Sequence, residues 1–261
     1  MSRLDDLFVR CRQEDRAALV GYLPVGFPSY DDSVQAMVAM VEAGVDAVEV
    51  GMPYSDPLME GPTIQAAHQA ALDAGTRQAD VLRAVEAVAA TGAPTLVMGY
   101  WNPVHRYGFR RWAQALKDAG GVGAITPDLI PEEAPEWLEA CRDLDLDPVF
   151  LVAPSSTDER IAVVGRTNRG FVYAAAVMGV TGARAQIGAG ARDLVARVRK
   201  QTDLPVGVGL GVSNGRQAAQ VAEFADAVVV GSALVTALQE DGVDGVRRLA
   251  SELAEGVRGS S

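Results

Sequence analysis

One carboxylate of this sequence lies inside an apolar stretch, where it could do acid–base chemistry. Glu49 interrupts the run 47–51, which is otherwise built from Ala, Val and Gly. In a β-strand successive side chains alternate, so Glu49 would point to the face opposite Val48 and Val50. Burying an unpaired carboxylate is costly and raises its pKa. Glu49 is therefore either paired structurally or a group that transfers protons, and this residue alone does not decide between the two.

The segment that follows Glu49 carries two more carboxylates, Asp56 and Glu60, in a stretch rich in Pro and Gly. Its prolines, Pro53 and Pro57 among them, restrict the backbone and would hold both carboxylates in place. A solvated surface loop is the alternative interpretation. The position of the segment, directly after the run that contains Glu49, favours a functional loop.

Two glycine-bearing turns late in the chain predict a phosphate site. Residues 207–213 are Gly-Val-Gly-Leu-Gly-Val-Ser, and residues 230–233 are Val-Gly-Ser-Ala. Glycines let backbone N–H groups approach an anion, and a helix N-terminus adds favourable partial charge. Neither turn contains Lys, and the nearest Arg is Arg216. We therefore expect the backbone to bind the anion. A third glycine-bearing segment, 178–184, predicts a mobile lid that extends to residue 190, with a plain connecting loop as the alternative.

The histidines and cysteines do not predict metal or redox chemistry. His68 and His105 have no ligand spacing around them, so both are expected at the surface and no metal site is expected. Cys11 and Cys141 are the only cysteines and are expected to be reduced packing residues.

Short apolar runs alternate with longer amphipathic stretches along the whole chain. Apolar residues at i, i+3, i+4 and i+7 predict helices that begin near Val34, Phe109 and Ala134, and a further helix before the first run. Ser156 and Glu159 predict a helix cap. Eight evenly spaced βα units favour a single (β/α)₈ barrel, a TIM barrel, over a doubly wound sheet, with residues 1–261 as one domain. In such barrels chemistry takes place in the loops after the strands. The apolar runs, each predicted as a strand, are 18–23, 47–51, 95–100, 122–126, 148–152, 170–174, 205–209 and 227–231.

Composition limits the class of protein further. The 261 residues carry a net charge of −11, so nucleic acid is not an expected partner, because affinity for its backbone comes from Lys and Arg. No apolar run approaches the ~20 residues that cross a membrane, and the charged N-terminus predicts no signal peptide. These features predict a cytoplasmic enzyme. The two lysines, Lys117 and Lys200, fall on predicted helices, so no strand end offers a Schiff base.

With these residues in view, the sequence resembles the tryptophan synthase alpha subunit family over nearly its whole length. The most specific match is the segment 48–65, and further matches are 21–24, 100–103, 126–131, 179–182 and 230–235. The resemblance implies a barrel that cleaves indole-3-glycerol phosphate by a retro-aldol reaction into indole and glyceraldehyde 3-phosphate. It implies no cofactor, and it implies a tryptophan synthase beta subunit as partner in an α₂β₂ assembly.

The resemblance also implies roles for individual residues. Glu49 corresponds to the proton shuttle, and Glu60 corresponds to the carboxylate that accepts the indole N–H. The implied substrate-binding residues are Tyr22, Tyr100, Asp128, Tyr173 and Thr181. The implied phosphate-binding residues are Gly182, Leu210, Gly211, Gly231 and Ser232. The implied partner-facing residues are Pro53, Asp56 and Pro57.

Two positions depart from the family pattern. The family usually has Asp at the position of Glu60, and often Thr or another larger residue at the position of Gly99. Glu60 could fold back toward the indole N–H, with room supplied by small neighbours such as Gly99, or it could point away. Two alternatives therefore stay open beside the alpha subunit: a free-standing lyase that releases indole, and a barrel of low activity that regulates a beta subunit.

Overall fold

Every strand of the sheet comes from one of the apolar runs, and all strands are parallel. The computed structural model describes residues 3–176 and 189–259. Within these residues the order is β5-β4-β3-β2-β1-β9-β8-β7-β6. The strands are β1 Ala18–Pro24, β2 Ala47–Gly51, β3 Thr95–Met98, β4 Gly123–Ile125, β5 Asp147–Val149, β6 Leu151–Val152, β7 Val172–Ala175, β8 Val206–Gly209 and β9 Ala227–Val230.

The fifth apolar run forms two strands instead of the predicted one, because its backbone pairs with a side chain at Phe150. Asn168 accepts from the Phe150 N–H at 3.0 Å and donates its amide to the Phe150 carbonyl at 2.9 Å. At Phe150 these two bonds take the place of backbone hydrogen bonds to a neighbouring strand, and this interruption separates β5 from β6. Since β5 and β6 stand at the two ends of the strand order and are joined by this single residue, the chain itself closes the sheet into a barrel.

Helices cover the outside of the barrel, as the amphipathic spacing predicts. The helices are α1 Arg3–Gln13, α2 Tyr30–Glu42, α3 Pro62–Asp73, α4 Gln78–Ala89, α5 Trp101–Tyr107, α6 Phe109–Asp118, α7 Pro135–Asp143, α8 Asp158–Thr167, α9 Ala189–Arg199, α10 Gly215–Ala222 and α11 Ser232–Arg258, with a 3₁₀ turn at Pro131–Glu133. Helix α11 is kinked at Gly242, whose φ is +64°. Lys117 lies on α6, and Lys200 directly follows α9.

The predicted cap of α8 is wrong by one residue. Thr157, not Ser156, is the N-cap, and its hydroxyl accepts from the Arg160 N–H at 3.2 Å. The Ser156 hydroxyl instead accepts from the Ala153 N–H at 3.0 Å, which turns the chain one step earlier. The sequence pattern, a serine followed by Glu three residues later, fits Ser156 and not Thr157, which Arg160 follows, so only the turn geometry shows that Thr157 caps the helix.

Apolar cores lie on both sides of the sheet. The larger core lies between the strands and the outer helices and includes Val48 and Val50. The smaller core fills the barrel, and there Leu7 and Phe8 of α1 pack with Ala47 of β2. Helix α1 therefore packs against the inward-facing side chains near the N-terminal strand ends, which leaves the C-terminal ends for a site. Cys11 and Cys141 are buried and free, which confirms the sequence expectation. No helix within the described residues is long and apolar enough to cross a membrane.

Candidate active site

A cavity of about 360 Å³ lies at the C-terminal ends of the strands. Glu49 and Glu60 both line it, although they come from a strand and from the loop after that strand. Apolar side chains that sequence reasoning did not single out form much of the wall: Met59, Ile64, Met98 and Leu151. The cavity also includes a set of residues expected at the site, namely Tyr22, Tyr173, Leu210, Gly211, Gly231 and Ser232.

Glu49 points into the barrel and is 1% exposed. Its Oε1 atom has no hydrogen-bond partner among the described residues, and burial raises the pKa of the carboxyl to about 8. Asp46 is a structural carboxylate in the same barrel and offers a comparison: Arg16 donates to both of its oxygens, at 2.8 and 2.9 Å. None of the described residues pairs with Glu49 in this way. It is therefore protonated near neutral pH and can donate a proton to a molecule in the cavity.

Tyr100 fixes the position of the second carboxylate. The Tyr100 hydroxyl donates to Oε2 of Glu60, and the same hydroxyl oxygen accepts from the Met59 N–H at 2.9 Å. The ring of Tyr100 stacks on Tyr54 with centroids 4.9 Å apart. Burial raises the pKa of Glu60, and the hydrogen bond from Tyr100 opposes that rise. The Glu60 carboxylate is thus held in the cavity as an oriented acceptor.

Gly99 does not supply the room that its small size suggests. A Cβ atom at this position would lie 2.4 Å from Cε of Met52. Met52 therefore already fills the space that a larger side chain would take. Gly99 is also not part of the cavity wall. The expectation that Gly99 makes space for Glu60 is wrong, and the two departures from the family pattern are separate.

The expectation that His68 lies at the surface is also wrong. His68 is 1% exposed, and its Nε2 lies 2.8 Å from the Tyr22 hydroxyl. Its Nδ1 accepts from the Tyr54 N–H at 3.3 Å. The sequence does contain the signal: Ile64, Ala67, His68 and Ala71 follow the i, i+3, i+4, i+7 spacing of a buried helix face. His105 is exposed, as expected.

Two tyrosines face the cavity, and each packs its hydroxyl against a glycine of the neighbouring strand. Tyr22 pairs with Glu49 in the β1–β2 register, and a Cβ at Gly51 would lie 2.6 Å from the Tyr22 hydroxyl. In the same way a Cβ at Gly209 would lie 2.7 Å from the Tyr173 hydroxyl. Gly209 was expected to help form a phosphate turn, but its lack of a side chain makes room for the ring of Tyr173. Burial raises the pKa of both tyrosines, so both remain neutral donors.

The N-terminus of α11 offers backbone donors to an anion. Gly231 is the N-cap and has no side chain to cap the helix, and the first helical bond runs from the Val235 N–H to the Gly231 carbonyl at 3.1 Å. The N–H groups of residues 232–234 consequently have no acceptor in the described part of the chain. Gly211 lies beside them on the cavity wall, with φ at +77°.

The neighbouring helix α10 is closed by its own surroundings. Asn214 accepts from the Gln217 N–H at 3.0 Å, and Glu252 accepts from the Gly215 N–H at 2.9 Å. A carboxylate therefore already occupies the end of α10. Of these two helix ends, only that of α11, at Gly231 and Ser232, lacks acceptors for its N–H groups among the described residues.

Asp128 lies beside the cavity and not in its wall. Its Oδ1 accepts from the Trp101 N–H at 2.8 Å, at the first residue of α5. Burial raises the pKa of Asp128, and its charge contributes to the raised pKa of Glu60. Asp128 thus fixes the residue next to Tyr100. Thr181 and Gly182, the expected lid threonine and phosphate glycine, lie outside the described residues, as does most of the expected lid.

The loop after β2 combines buried prolines with exposed apolar side chains. Pro53 and Pro57 are buried, so they shape the loop and do not present a surface, whereas Asp56 is exposed. Leu58 is 87% exposed and Met59 is 57% exposed. Among the described residues no group of three or more His, Cys, Asp and Glu side chains is arranged to hold a metal ion.

Comparison with known proteins agrees with this architecture. The sequence profile described as "Tryptophan synthase alpha chain" matches residues 8–258. The tryptophan synthase alpha chain of Mycobacterium avium (strain 104) is 58% identical over 257 residues, covering 98% of this chain and 95% of the relative. That of Nocardia farcinica (strain IFM 10152) is 56% identical over 260 residues, covering 100% and 97%.

Solved structures show the same similarity in three dimensions. A chain in a structure of Mycobacterium tuberculosis tryptophan synthase superposes with a TM-score of 0.94 at 57% identity, covering 99% of each chain. The tryptophan synthase alpha chain of Legionella pneumophila subsp. pneumophila superposes with a TM-score of 0.90 at 31% identity, covering 100% of each chain. The expected TIM-barrel fold is confirmed, and the chain belongs to the tryptophan synthase alpha chain family.

Proposed function

We propose that this barrel cleaves indole-3-glycerol phosphate into indole and glyceraldehyde 3-phosphate, with Glu49 and Glu60 as its catalytic residues. As a member of its family the chain is a carbon–carbon lyase of tryptophan biosynthesis. The observation that carries the assignment to these residues is the buried carboxyl of Glu49, whose Oε1 has no hydrogen-bond partner in the described part of the chain and whose pKa of about 8 suits proton transfer near neutral pH.

The reaction needs a proton to be added and then removed. Glu49, protonated at the start, donates to C3 of the indole ring, which becomes an indolenine cation. Glu60 accepts a hydrogen bond from the indole N–H and stabilises that positive charge. Glu49, now a carboxylate, takes the proton from the hydroxyl on the carbon attached to C3. That carbon becomes a carbonyl, its bond to C3 breaks, and the electron pair returns to the ring as indole leaves.

The remaining expected residues fit the two ends of this substrate. The open N–H groups of residues 232–234, with Gly211 and Leu210 beside them, suit the phosphate. Tyr22 and Tyr173 flank Glu49 and enclose the reacting carbon atoms together with the apolar wall. Tyr100 and Asp128 act through Glu60 and Trp101, one step away from the substrate. Thr181 and Gly182 are proposed here from the resemblance alone.

The partner we propose is a tryptophan synthase beta subunit, in an α₂β₂ assembly. Support comes from the loop after β2, where Asp56, Leu58 and Met59 are exposed while Pro53 and Pro57 hold the backbone from within. An exposed leucine within the loop that carries Glu60 suits a protein contact. We also propose a cytoplasmic location, which the buried, unpaired Cys11 and Cys141 favour.

The experiment that tests this function measures indole release from indole-3-glycerol phosphate, with and without a beta subunit. We expect slow release by the chain alone and faster release in the complex. Equal rates in both samples would favour a free-standing lyase. No release in either would favour the regulatory barrel, although the position of Glu60 within the cavity supports an active enzyme.

A further inference from the structure

His68 connects the wall of the cavity to the loop that carries Glu60. It lies on α3, and its ring is buried between the Tyr22 hydroxyl on one side and the Tyr54 N–H on the other. Tyr22 lines the cavity, whereas Tyr54 belongs to the loop after β2. No step of the proposed reaction uses His68 directly.

The two contacts determine where the hydrogen of the imidazole lies. A backbone N–H can only donate, so Nδ1 must carry a lone pair to accept from Tyr54. In the neutral ring the hydrogen then lies on Nε2, which donates to the Tyr22 oxygen. Burial lowers the pKa of His68 to about 4, so the ring is neutral at physiological pH.

This arrangement leaves the hydrogen of Tyr22 available. The Tyr22 oxygen already accepts from His68, and its own O–H has no acceptor within residues 3–176 and 189–259. The ring cannot shift far, because its hydroxyl lies over Gly51, where even a Cβ would come within 2.6 Å. The negative charge of Glu60, and that of Glu49 once it has given up its proton, act on this hydroxyl. Tyr22 is thus a fixed donor close to both carboxylates.

We propose that His68 is a positioning residue for the cleavage reaction: it occupies the acceptor site of Tyr22, so that the Tyr22 hydroxyl donates its hydrogen to an oxygen atom of the bound substrate. The same ring ties Tyr54, and with it the loop that carries Glu60, to the barrel. This role rests on the proposed function. It requires an imidazole that donates from Nε2 and accepts at Nδ1, which an apolar side chain of similar size cannot do.

The test combines kinetics with a spectroscopic signature. We expect Tyr22→Phe and His68→Leu each to lower kcat/KM by about tenfold, the scale of one lost hydrogen bond. The double variant should be no worse than His68→Leu alone, because without His68 the Tyr22 hydroxyl is no longer directed to the substrate. His68→Gln, whose amide can both accept and donate, should recover most of the loss and shows that His68→Leu does not act through misfolding. His105→Leu, at the exposed histidine, is the control.

Nitrogen-15 NMR of the imidazole rings supplies a readout that does not depend on activity. For His68 we expect hydrogen on Nε2, none on Nδ1, and no titration between pH 6 and pH 8. Hydrogen on Nδ1, or losses that multiply in the double variant, would overturn the role of His68 while cleavage by the parent chain still supports the proposed function. If the parent chain with its beta subunit cleaves nothing, both proposals are wrong.

Discussion

Tyr100 holds Glu60 by donating its hydroxyl hydrogen to the carboxylate while the same oxygen accepts the N–H of the preceding residue, Met59. The Tyr100 hydroxyl therefore binds both the side chain of Glu60 and the backbone of Met59. Because Tyr100 follows β3 and Glu60 follows β2, this hydroxyl joins two neighbouring loops of the barrel. Glu60, the carboxylate that departs from the family pattern, consequently has its own structural support.

The first prediction concerns the length of this side chain. Glu60→Asp shortens it by one methylene, so the carboxylate can no longer reach both Tyr100 and the cavity as Glu60 does. We expect kcat/KM for cleavage of indole-3-glycerol phosphate to stay similar or to fall, by up to about 100-fold, the cost of a ~1 Å misplacement. A large rise in kcat for this variant would show that Glu60 impairs the enzyme, and the regulatory hypothesis would gain support.

A second prediction follows from the hydroxyl of Tyr100. Tyr100→Phe keeps the ring stack with Tyr54 and removes the donor to Glu60. We expect a loss in kcat of about tenfold, because an unrestrained carboxylate accepts the indole N–H less often. The fold should remain, as judged by thermal unfolding. Tyr107→Phe serves as a matched control, since Tyr107 contacts Arg111 away from the cavity. Equal rates in Tyr100→Phe and the control would contradict the positioning of Glu60 by Tyr100.

The third prediction concerns Glu49, where activity and stability should move in opposite directions. Glu49→Gln cannot transfer a proton, so we expect cleavage to fall by ~10²–10⁴-fold. The folded-state pKa of about 8 lies above the usual value of 4.5, so the parent protein loses stability progressively as the pH rises from 4.5 to about 8. The Gln variant carries no such charge. Its free energy of unfolding should therefore exceed that of the parent at pH 8, by a few kcal/mol, and approach it at pH 5.

Urea unfolding of both proteins at the two pH values measures this difference. Asp46→Asn is the contrasting control: Asp46 pairs with Arg16, so the same change from carboxylate to amide should destabilise the protein. Near-parental activity in Glu49→Gln, or a loss of stability at pH 8 like that of Asp46→Asn, would show that Glu49 is a structural residue.

The fourth prediction concerns the phosphate. Ser232→Asp adds a carboxylate to the first turn of α11, where it suits the helix dipole but repels an anion. We expect unchanged or slightly higher thermal stability and a KM raised at least tenfold. Asn214→Asp makes the equivalent change at α10, whose end is already occupied, and should leave KM unchanged. Gly211→Asp should also weaken binding, but its φ of +77° adds strain, so Ser232→Asp is the cleaner test. A crystal soaked with glycerol phosphate that holds the anion elsewhere would refute this site.

The fifth prediction concerns the partner. Asp56 is exposed, and among the described residues its carboxylate accepts one side-chain hydrogen bond, from the adjacent Ser55 hydroxyl at 2.6 Å. Asp56→Ala should therefore leave folding and the activity of the isolated chain intact. In the presence of a beta subunit we expect the activation of cleavage to drop several-fold, since the loop links the two sites. Size-exclusion runs at micromolar concentration would show whether the complex forms. If the parent chain forms none, the free-standing lyase is the better description.

The sequence by itself determined the barrel and the position of its site along the chain. Apolar strand runs alternate with stretches of helical i, i+3, i+4, i+7 spacing. Both patterns are local properties of the sequence and do not depend on contacts with distant residues. Strand alternation required Glu49 to point to the face opposite Val48 and Val50. The open helix end at Gly231 and Ser232 followed from the glycine turn before a helix.

Only the tertiary structure decided which of these residues meet and which side chains are enclosed. The bond from Tyr100 to Glu60 spans 40 residues, and the bond between Tyr22 and His68 spans 46. Met52 fills the space above Gly99, and Asn168 divides the fifth strand from 18 residues away. Such contacts depend on how neighbouring loops pack at the barrel mouth. Periodicity in the sequence shows which face of an element is apolar, but it does not show which polar group of another element lies opposite.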